Sequence, residues 1–291
     1  ELLALEPPDL ELAGRATVAL ARLHRAAGDH AALIETLRSL LRFIDKDAEQ
    51  VKILLEIAEL QRDRIDDAEA ASLTFQEVLD IDPGSLIAMD ALERIYVGQS
   101  AWEPLTRVLR QRVMAVEDSF ERARLWRKIG EIYREQLKDP YQAIEAFQSV
   151  VDVGASPRDT THALDAIVRL NAELERWTEV EEGLRRLLAL ADKDDARATL
   201  LGRTAEVVGD KLGRYPDAID LLEQVLAISS EDDRARSMLT AYLGNEDTRE
   251  RVTAILHPLY EAEHNWPALL DLEERQARHQ PAGRLRLVAL L

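Results

Sequence analysis

Residues 125–150 read LWRKIGEIYREQLKDPYQAIEAFQSV, and this stretch decides the fold. Leu125, Ile129 and Ile132 follow one another at steps of three and four residues, which is the spacing of one face of an α-helix. A break with Asp and Pro at residues 139–140 interrupts the pattern. The spacing then resumes with Ala143, Phe147 and Val150. The stretch therefore predicts two helices joined by a short turn, which together form one helical hairpin.

The same pattern recurs along the chain. Residues 54–60 (LLEIAEL) match residues 126–132 (WRKIGEI). A third copy follows at a similar interval, where residues 205–207 (AEV) match residues 130–132 (GEI). Each hairpin alone would leave an apolar face exposed, so the copies are expected to stack on one another. The predicted fold class is all-α, an α-α superhelix or solenoid of antiparallel helix pairs.

A second type of hairpin alternates with the first. Residues 91–95 (ALERI) match residues 166–170 (AIVRL), and each stretch is followed by a tryptophan, Trp102 or Trp177. An earlier version contains residues 20–23 (LARL), and a later version contains Trp266. We interpret the three tryptophans as packing residues at hairpin turns.

The repeat spacing predicts the organisation of the chain. A unit of about 36 residues is slightly longer than a TPR-type repeat. The predicted units are residues 11–46, 47–83, 84–117, 118–155, 156–192 and 193–230. The interval from Trp177 to Trp266 is longer than that from Trp102 to Trp177, and its surplus lies at residues 231–244, which predicts an extra helix. Residues 231–291 would hold this helix and a further repeat, truncated at its C-terminal end.

The first type of hairpin resembles the tetratricopeptide (TPR) repeat. That family places an aromatic residue, a Leu-Gly-like pair and a tyrosine in its first helix, then alanine, an aromatic residue and alanine in its second. The matching residues here are Trp126, Ile129, Gly130, Tyr133, Ala143, Phe147 and Val150. Pro83 closes its unit as the family's terminal proline does. Small residues are expected to let the two helices of a hairpin approach closely, while large residues fill the gap between hairpins. The small residues are Gly130, Ala58 and Ala205, and the large ones are Phe75, Phe147 and Leu222.

Three features depart from that family. The turn at residues 134–141 is one residue longer than the family's turn. The second type of hairpin carries Glu93 or Val168 where the small residue belongs, and the terminal proline appears once. HAT-type and other helical-pair repeats therefore remain alternatives.

Composition limits the partners. The chain has 291 residues and a formal net charge of −18. An acidic surface repels phosphate and anionic lipid, so we expect no nucleic-acid partner, and the sequence has no apolar run long enough for membrane insertion. The expected partner is a protein or peptide that is basic or of mixed charge. The acidic balance also suits a soluble, bacterial-type, cytoplasmic protein.

The two ends of the sequence give a further expectation. The chain begins Glu1-Leu2-Leu3 and ends in a helical pattern with Leu285, Leu287, Leu290 and Leu291. We interpret it as a segment of a longer protein.

The sequence contains no motif that indicates catalysis. It has no cysteine, and none of its six histidines forms HExxH or another metal-ligand pair. Its glycines form neither GxGxxG nor a Walker loop, and GDKLG at residues 209–213 is interpreted as a helix-ending turn. We therefore predict no enzyme activity and no cofactor.

The TPR resemblance implies a binding surface, because the first helix of each hairpin lines the concave groove in that family. The candidate binding residues on this basis are Lys52, Arg62, Asp90, Arg94, Arg124, Arg127, Glu131, Arg134, Asp165 and Arg169. Asp90 with Arg94, and Asp165 with Arg169, have the four-residue spacing of an intrahelical ion pair worth about 0.2–0.5 kcal/mol. The alternative is a ladder of groove arginines that binds carboxylate groups of an extended peptide.

Three functions are compatible with these observations. The first is a non-enzymatic scaffold or adaptor that binds a peptide or protein in the concave groove. The second is a structural spacer or self-assembling segment of a larger multi-repeat protein. The third is a regulatory arm of an enzyme.

Overall fold

The computed structural model describes residues 10–154 and 156–278. Within these ranges the chain forms α-helices and no β-strand. The helices are α1 (Leu10–Ala27), α2 (His30–Leu40), α3 (Asp47–Leu60), α4 (Ala68–Ile81), α5 (Leu86–Gly98), α6 (Trp102–Ala115), α7 (Ser119–Ile132), α8 (Pro140–Val153), α9 (Pro157–Glu173), α10 (Trp177–Leu190), α11 (Asp194–Glu206), α12 (Tyr215–Ile228), α13 (Asp233–Tyr242), α14 (Glu246–Ala262) and α15 (Trp266–Arg278). The prediction of an all-α repeat fold is confirmed. Both chain ends that suggested a longer parent protein, including Leu285 and Leu291, lie outside the described residues.

The chain divides into two compact units, residues 1–155 and residues 156–291. The first unit contains the helix pairs from α1 to α8. The second contains the pairs from α9 to α12, then the single helix α13 and the pair of α14 and α15. Within each unit, successive helices pack against one another. The predicted end of the regular units, at residue 230, lies inside the second unit, just before α13.

Short polar side chains begin many of these helices. The carboxylates of Asp29, Asp67, Asp118 and Asp139 each accept a backbone N–H from the first turn of the helix that follows. Such caps satisfy amide groups that have no partner within the helix. Three of the four cap the second helix of a hairpin and so fix where that helix begins.

The two types of hairpin differ in their turns. Turns of both types contain a residue in the left-handed region, which is Asp66, Lys138 or Gly213 in the first type. In the second type it is Gly28, Ser100, Glu175 or His264. The next backbone N–H donates to the carbonyl five residues earlier, for example from Ala101 to Tyr96 at 2.8 Å. This is the hydrogen bond of a Schellman helix end.

In the first type of hairpin, the first helix ends in a π-helical turn. The three turns are Gln61–Ile65, Tyr133–Leu137 and Val207–Lys211. A π-turn closes its hydrogen bonds over five residues in place of four, and so it takes up an additional residue. This explains why the turn at residues 134–141 is one residue longer than in the TPR family. It also confirms that GDKLG, which overlaps the third π-turn, ends a helix.

In the first type of hairpin, small and large side chains pack against each other within the hairpin, whereas the prediction placed the large side chains between hairpins. Ala58, Phe75 and Phe147 are fully buried. A methyl group added at Gly130 would lie 3.0 Å from the Phe147 ring. The helices of this hairpin therefore approach each other through Gly130, and the large ring opposite fills the space.

Among the second-type hairpins, the pair α9 and α10 reaches a close approach by a different arrangement. Val168 of α9 stands where the repeat was expected to need a small residue, and it is buried. The small residue lies instead on the opposite helix, since a methyl group added at Gly183 of α10 would come within 2.6 Å of Val168 Cγ2. The pair α9 and α10 thus also packs a small residue against a large one. Here the large residue lies on the first helix and the small residue on the second, the reverse of the first type of hairpin.

The tryptophans do not share one role. Trp102 is partly buried against the core of the first unit. Trp177 is also partly buried, and Lys211 Nζ lies 4.9 Å from the centre of its ring. Trp266 is 59% exposed, so the prediction that it is a packing residue is wrong. Its ring lies beside His264, with the ring centres 5.7 Å apart.

Helix α13 lies in the stretch where the sequence has its surplus residues, and Tyr242 anchors it to the preceding hairpin. A methyl group added at Gly209 would lie 2.1 Å from Tyr242 Oη, so the phenol occupies the space that glycine leaves. The hydroxyl donates to Asp210 Oδ1 at 3.1 Å, and the ring meets Tyr215 edge-on at 5.2 Å. Burial, reinforced by the Asp210 carboxylate, raises the pKa of Tyr242 well above its usual range.

Candidate functional site

A groove recurs where a second-type hairpin meets the first helix of the next hairpin. We call the groove between α1, residues 40–45 and α3 the first groove. The equivalent site between α5, α6 and α7 is the second groove, and the one between α9, α10 and α11 is the third groove. The repeat alignment gives Leu40, Arg112 and Leu187 the same position in the three grooves. They can therefore be compared position by position.

The third groove is an open cleft of about 570 Å³. Its floor is apolar and includes the buried Leu187 with the partly exposed Leu190 and Leu200. Arg158 from α9 and Arg203 from α11 lie on its two sides. Because the floor is apolar and the sides carry charge, the groove can bury an apolar side chain and also bind a polar group.

The first groove is also open, with a volume of about 700 Å³. Apolar side chains line it at Val18, Leu40, Phe43 and Ile44. Its charged lining residues are Arg15, Arg22, Arg42, Asp45 and Glu49. The two carboxylates both lie on the side of α3, and the three arginines lie on α1 and just after α2.

The second groove is filled by its own side chains. Arg112 of α6 is only 18% exposed and makes ion pairs with Asp90, with Glu121 Oε1 at 3.4 Å and with Glu93 Oε2 at 3.5 Å. Lys128 Nζ lies 2.6 Å from Glu93 Oε1. We call these five residues the Arg112 cluster. Three carboxylates and two cations thus meet at the place where the third groove is open.

One of the two predicted intrahelical ion pairs forms. Arg169 Nη2 lies 2.5 Å from Asp165 Oδ2 on α9, and Asp165 Oδ1 is also 3.6 Å from Arg203 Nη1. Asp165 therefore belongs to the third groove, as its lining also shows.

The other predicted pair, between Asp90 and Arg94, is wrong. Asp90 pairs with Arg112 on the neighbouring helix, and Arg94 is exposed. The guanidinium of Arg112 is held in a shielded position by two further carboxylates, where an ion pair is stronger than in water. Arg94, one turn along α5, is exposed to solvent, so an ion pair between it and Asp90 would be weaker.

Arg62 and Arg134, two of the predicted binding residues, cover the cores of their own hairpins. The Arg62 guanidinium lies 5.8 Å from the centre of the Phe75 ring, and Arg134 lies 5.9 Å from the Phe147 ring. These are repeat-equivalent cation–π contacts. Arg62 also donates two hydrogen bonds to Asp63 at 2.7 and 2.8 Å, which lowers the pKa of that carboxyl.

The remaining predicted residues lie on α3 and α7. Lys52 and Arg124 are exposed. Arg127 is half-buried and its Nε lies 4.0 Å from Glu131 Oε1. Among the described residues, neither open groove includes any of these four in its lining. The structure therefore does not bring the ten candidate residues together at one site.

Sequence reasoning missed the residues that decide whether a groove is open. Alignment of residues 91–128 with residues 166–203 places Leu187 opposite Arg112, Ala196 opposite Glu121 and Arg203 opposite Lys128. That comparison would have shown that one repeat carries an ion cluster where another carries apolar and small residues. His162, one of the six histidines that form no metal-ligand motif, also lines the third groove.

The described part of the chain holds neither a candidate metal site nor a membrane-spanning helix. Within it, no group of three His, Asp or Glu side chains is placed to hold a metal ion. None of its helices is both long enough and apolar enough to cross a bilayer.

Comparison with known proteins gives a family match for one hairpin. The family model of the tetratricopeptide repeat matches residues 126–153, which are most of α7 and α8. This is the hairpin in which the resemblance was strongest, and such repeats are typically non-catalytic. No curated protein matches the sequence.

Several solved structures resemble the chain at low sequence identity. YrrB, described as a TPR protein with an unusual peptide-binding site, is 16% identical, with a TM-score of 0.34 over 65% of this chain and 91% of that chain. A tetratricopeptide repeat protein from Parabacteroides merdae is 14% identical, with a TM-score of 0.33 over 90% of this chain and 98% of that one. A Naa15/Naa10 complex bound to HypK-THB matches at 11% identity and a TM-score of 0.49, over 90% of this chain and 39% of that one.

Proposed function

We propose that this chain, an all-helical protein with TPR-like repeats, is a non-catalytic scaffold that binds a peptide segment of a partner protein. In each unit, the binding surface is the open groove that a first helix borders. One observation carries the proposal. Two repeat-equivalent clefts, of about 700 and 570 Å³, remain open with apolar floors, although the fold can fill the same site, as it does in the second groove.

The grooves have the properties of a peptide site. Each has room for a large side chain, and each combines an apolar floor with charged residues at its edges. TPR-like repeats commonly serve as protein-interaction modules, and YrrB is described as having a peptide-binding site. The charge of −18 and the arginines of the open grooves favour a partner of mixed charge. The cytoplasmic location and bacterial origin stay predictions from the sequence.

Selection of binding peptides tests this function. The intact chain would be used to select from a phage-displayed library of random peptides, and the affinity of enriched peptides would be measured by fluorescence anisotropy. A matched variant, Leu40→Arg with Leu187→Arg, introduces an arginine into each open groove at the position that Arg112 has in the second groove. We expect enriched peptides to lose affinity for this variant and to keep it for Leu73→Arg, an exposed position on α4. If no peptide is enriched on the folded chain, the proposal is wrong.

A second candidate function is assembly with another copy or a flanking repeat through α1. Three leucines of this helix are exposed, namely Leu12 by 59%, Leu20 by 46% and Leu23 by 67%. Exposed apolar residues on one helix are a frequent mark of an interface. Light scattering over a range of concentrations would detect self-association, and Leu20→Lys with Leu23→Lys should abolish it. A chain that stays monomeric at all concentrations would remove self-assembly as a function.

A further inference from the structure

We infer that the third groove recognises a peptide segment in which a large apolar side chain stands next to a single carboxylate, and that the second groove is closed to peptides. This inference rests on the proposed function and assigns its specificity to one site. It follows from the floor of the groove, its charged sides and the comparison with the second groove.

The floor of the third groove selects an apolar side chain. Leu187 is buried, and Leu190 is 41% exposed at the end of α10. Leu200 completes this surface from α11. An apolar group of the partner would remove Leu190 from water, whereas a polar group would be desolvated there without a hydrogen-bond partner.

The sides of the third groove select a carboxylate. Arg158 is exposed and makes no ion pair within the described residues. Arg203 has Asp165 as its ion-pair partner, at 3.6 Å, while the same aspartate has a closer partner in Arg169 at 2.5 Å. Two arginines therefore share Asp165, and α9 and α11 each present a guanidinium with unused donors to the cleft. A carboxylate between them would accept charge-assisted hydrogen bonds from both sides.

The net charge limits the partner to one carboxylate at this point. At −18 the chain as a whole repels an acidic segment at long range. The recognised carboxylate should therefore belong to a segment that is otherwise neutral or basic. The first groove is less suited to this ligand, because its α3 side presents Asp45 and Glu49 and no arginine.

The Arg112 cluster shows what closes such a groove. Arg112 takes the place of Leu187, and Glu121 takes the place of Ala196. The guanidinium then fills the cleft with support from Asp90 and Glu121, and the cluster holds more carboxylates than cations. A peptide carboxylate would meet like charges here, and Arg112 stands where Leu187 gives the third groove its apolar floor.

The experiment compares peptide sequence with groove composition. Peptides enriched on the intact chain from a random phage library would be sequenced, and the most enriched peptide would be titrated by fluorescence anisotropy. We expect a large apolar residue beside Asp or Glu. Leu187→Arg with Ala196→Glu, which copies the closed groove, and Arg203→Glu should each weaken binding about tenfold or more. Arg94→Glu, an exposed arginine outside the groove, should leave the affinity within about twofold.

A change in the peptide separates recognition from a folding defect. Replacing its Asp or Glu by Asn or Gln should weaken binding to the native chain and have little further effect on Arg203→Glu, as in a double-mutant cycle. Circular dichroism would confirm that Arg203→Glu remains folded. Enrichment of lysine and arginine, or unchanged binding by both groove variants, would overturn the third-groove assignment and leave the scaffold function standing. Failure to enrich any peptide would overturn both.

Discussion

Arg112 and Leu187 occupy the same position in two repeats, and they give the grooves above them opposite characters. Arg112 draws Asp90, Glu93 and Glu121 around it and fills the second groove. Leu187 is buried and forms the floor of an open cleft. The residue at this position of the second helix thus distinguishes a groove occupied by the chain's own ion cluster from an open one.

Replacing Arg112 by leucine should destabilise the first unit. The substitution leaves Asp90, Glu93 and Glu121 close together with Lys128 as the remaining cation of the cluster. Since Arg112 is only 18% exposed, we expect a loss between the ~0.2–1 kcal/mol of exposed pairs and the ~3–5 kcal/mol of buried ones. Urea unfolding followed by circular dichroism would measure it, and added salt should restore part of the loss by screening the carboxylates.

Two further variants check this interpretation. Arg112→Leu with Glu121→Ala, which copies the third groove, should be more stable than Arg112→Leu alone because one repelling carboxylate is gone. Arg94→Leu, at an exposed position, should change the free energy of unfolding by less than about 0.5 kcal/mol. Equal losses for Arg94→Leu and Arg112→Leu would show that the cluster contributes no specific stability.

Gly183→Ala should destabilise the second unit through a clash with Val168. The added methyl group would lie 2.6 Å from Val168 Cγ2, and overpacking of this kind costs about 1–3 kcal/mol. Val168→Ala in the same chain should recover part of the loss by removing the opposing methyl groups. Thermal unfolding would measure both, with Gly202→Ala as the control. Nothing lies near Gly202, so that change should stabilise its helix by up to about 1 kcal/mol. No recovery in the double variant would exclude the clash as the cause.

The helix pairs could be predicted because the three- and four-residue spacing of apolar residues recurs from one repeat to the next. The turns could be predicted from local residues such as Pro140 and Gly213. The contacts that long side chains make with other helices could not be predicted in this way. Asp90 has Arg94 at the favourable spacing, but Arg112 reaches it from another helix and is better shielded from water. Trp266 stands at the repeat position of Trp102, yet it is exposed, because burial depends on neighbours that a repeat position does not specify. The open grooves could not be predicted for the same reason. The third groove is open because it lacks the arginine that Arg112 supplies at the equivalent position of the second groove.

Asp165→Asn should strengthen binding of a peptide that carries the recognised carboxylate. Asp165 is the one acid among the residues that line the third groove, and it holds both Arg169 and Arg203. Neutralising it frees both guanidinium groups for the ligand, so the dissociation constant should fall by a few-fold, roughly 1 kcal/mol or less at this exposure.

Anisotropy titration at two salt concentrations would test this, because the gain in affinity should shrink at high salt. Asp90→Asn, the same change in the second groove, should leave the affinity unaltered. A weaker complex with Asp165→Asn would mean that the aspartate itself contacts the peptide.

Tyr242→Phe should alter how the stability of the second unit depends on alkaline pH. Burial and Asp210 raise the pKa of Tyr242 well above its usual range in the folded chain, whereas an unfolded tyrosine ionises near pH 10. A raised folded pKa means that the contribution of Tyr242 to stability is complete below pH 10 and is lost as the pH rises above it.

At pH 8 the variant should be less stable by about 0.5–1.5 kcal/mol, because the hydrogen bond to Asp210 is missing. Between pH 8 and pH 11 the difference should shrink by roughly 1.4 kcal/mol, since phenylalanine cannot ionise. Urea unfolding from pH 8 to 11 would measure the difference, and Tyr141→Phe, at a position 62% exposed, should show no such trend. A difference for Tyr242→Phe that stays constant with pH would mean that the phenol ionises as readily in the folded chain as in the unfolded one.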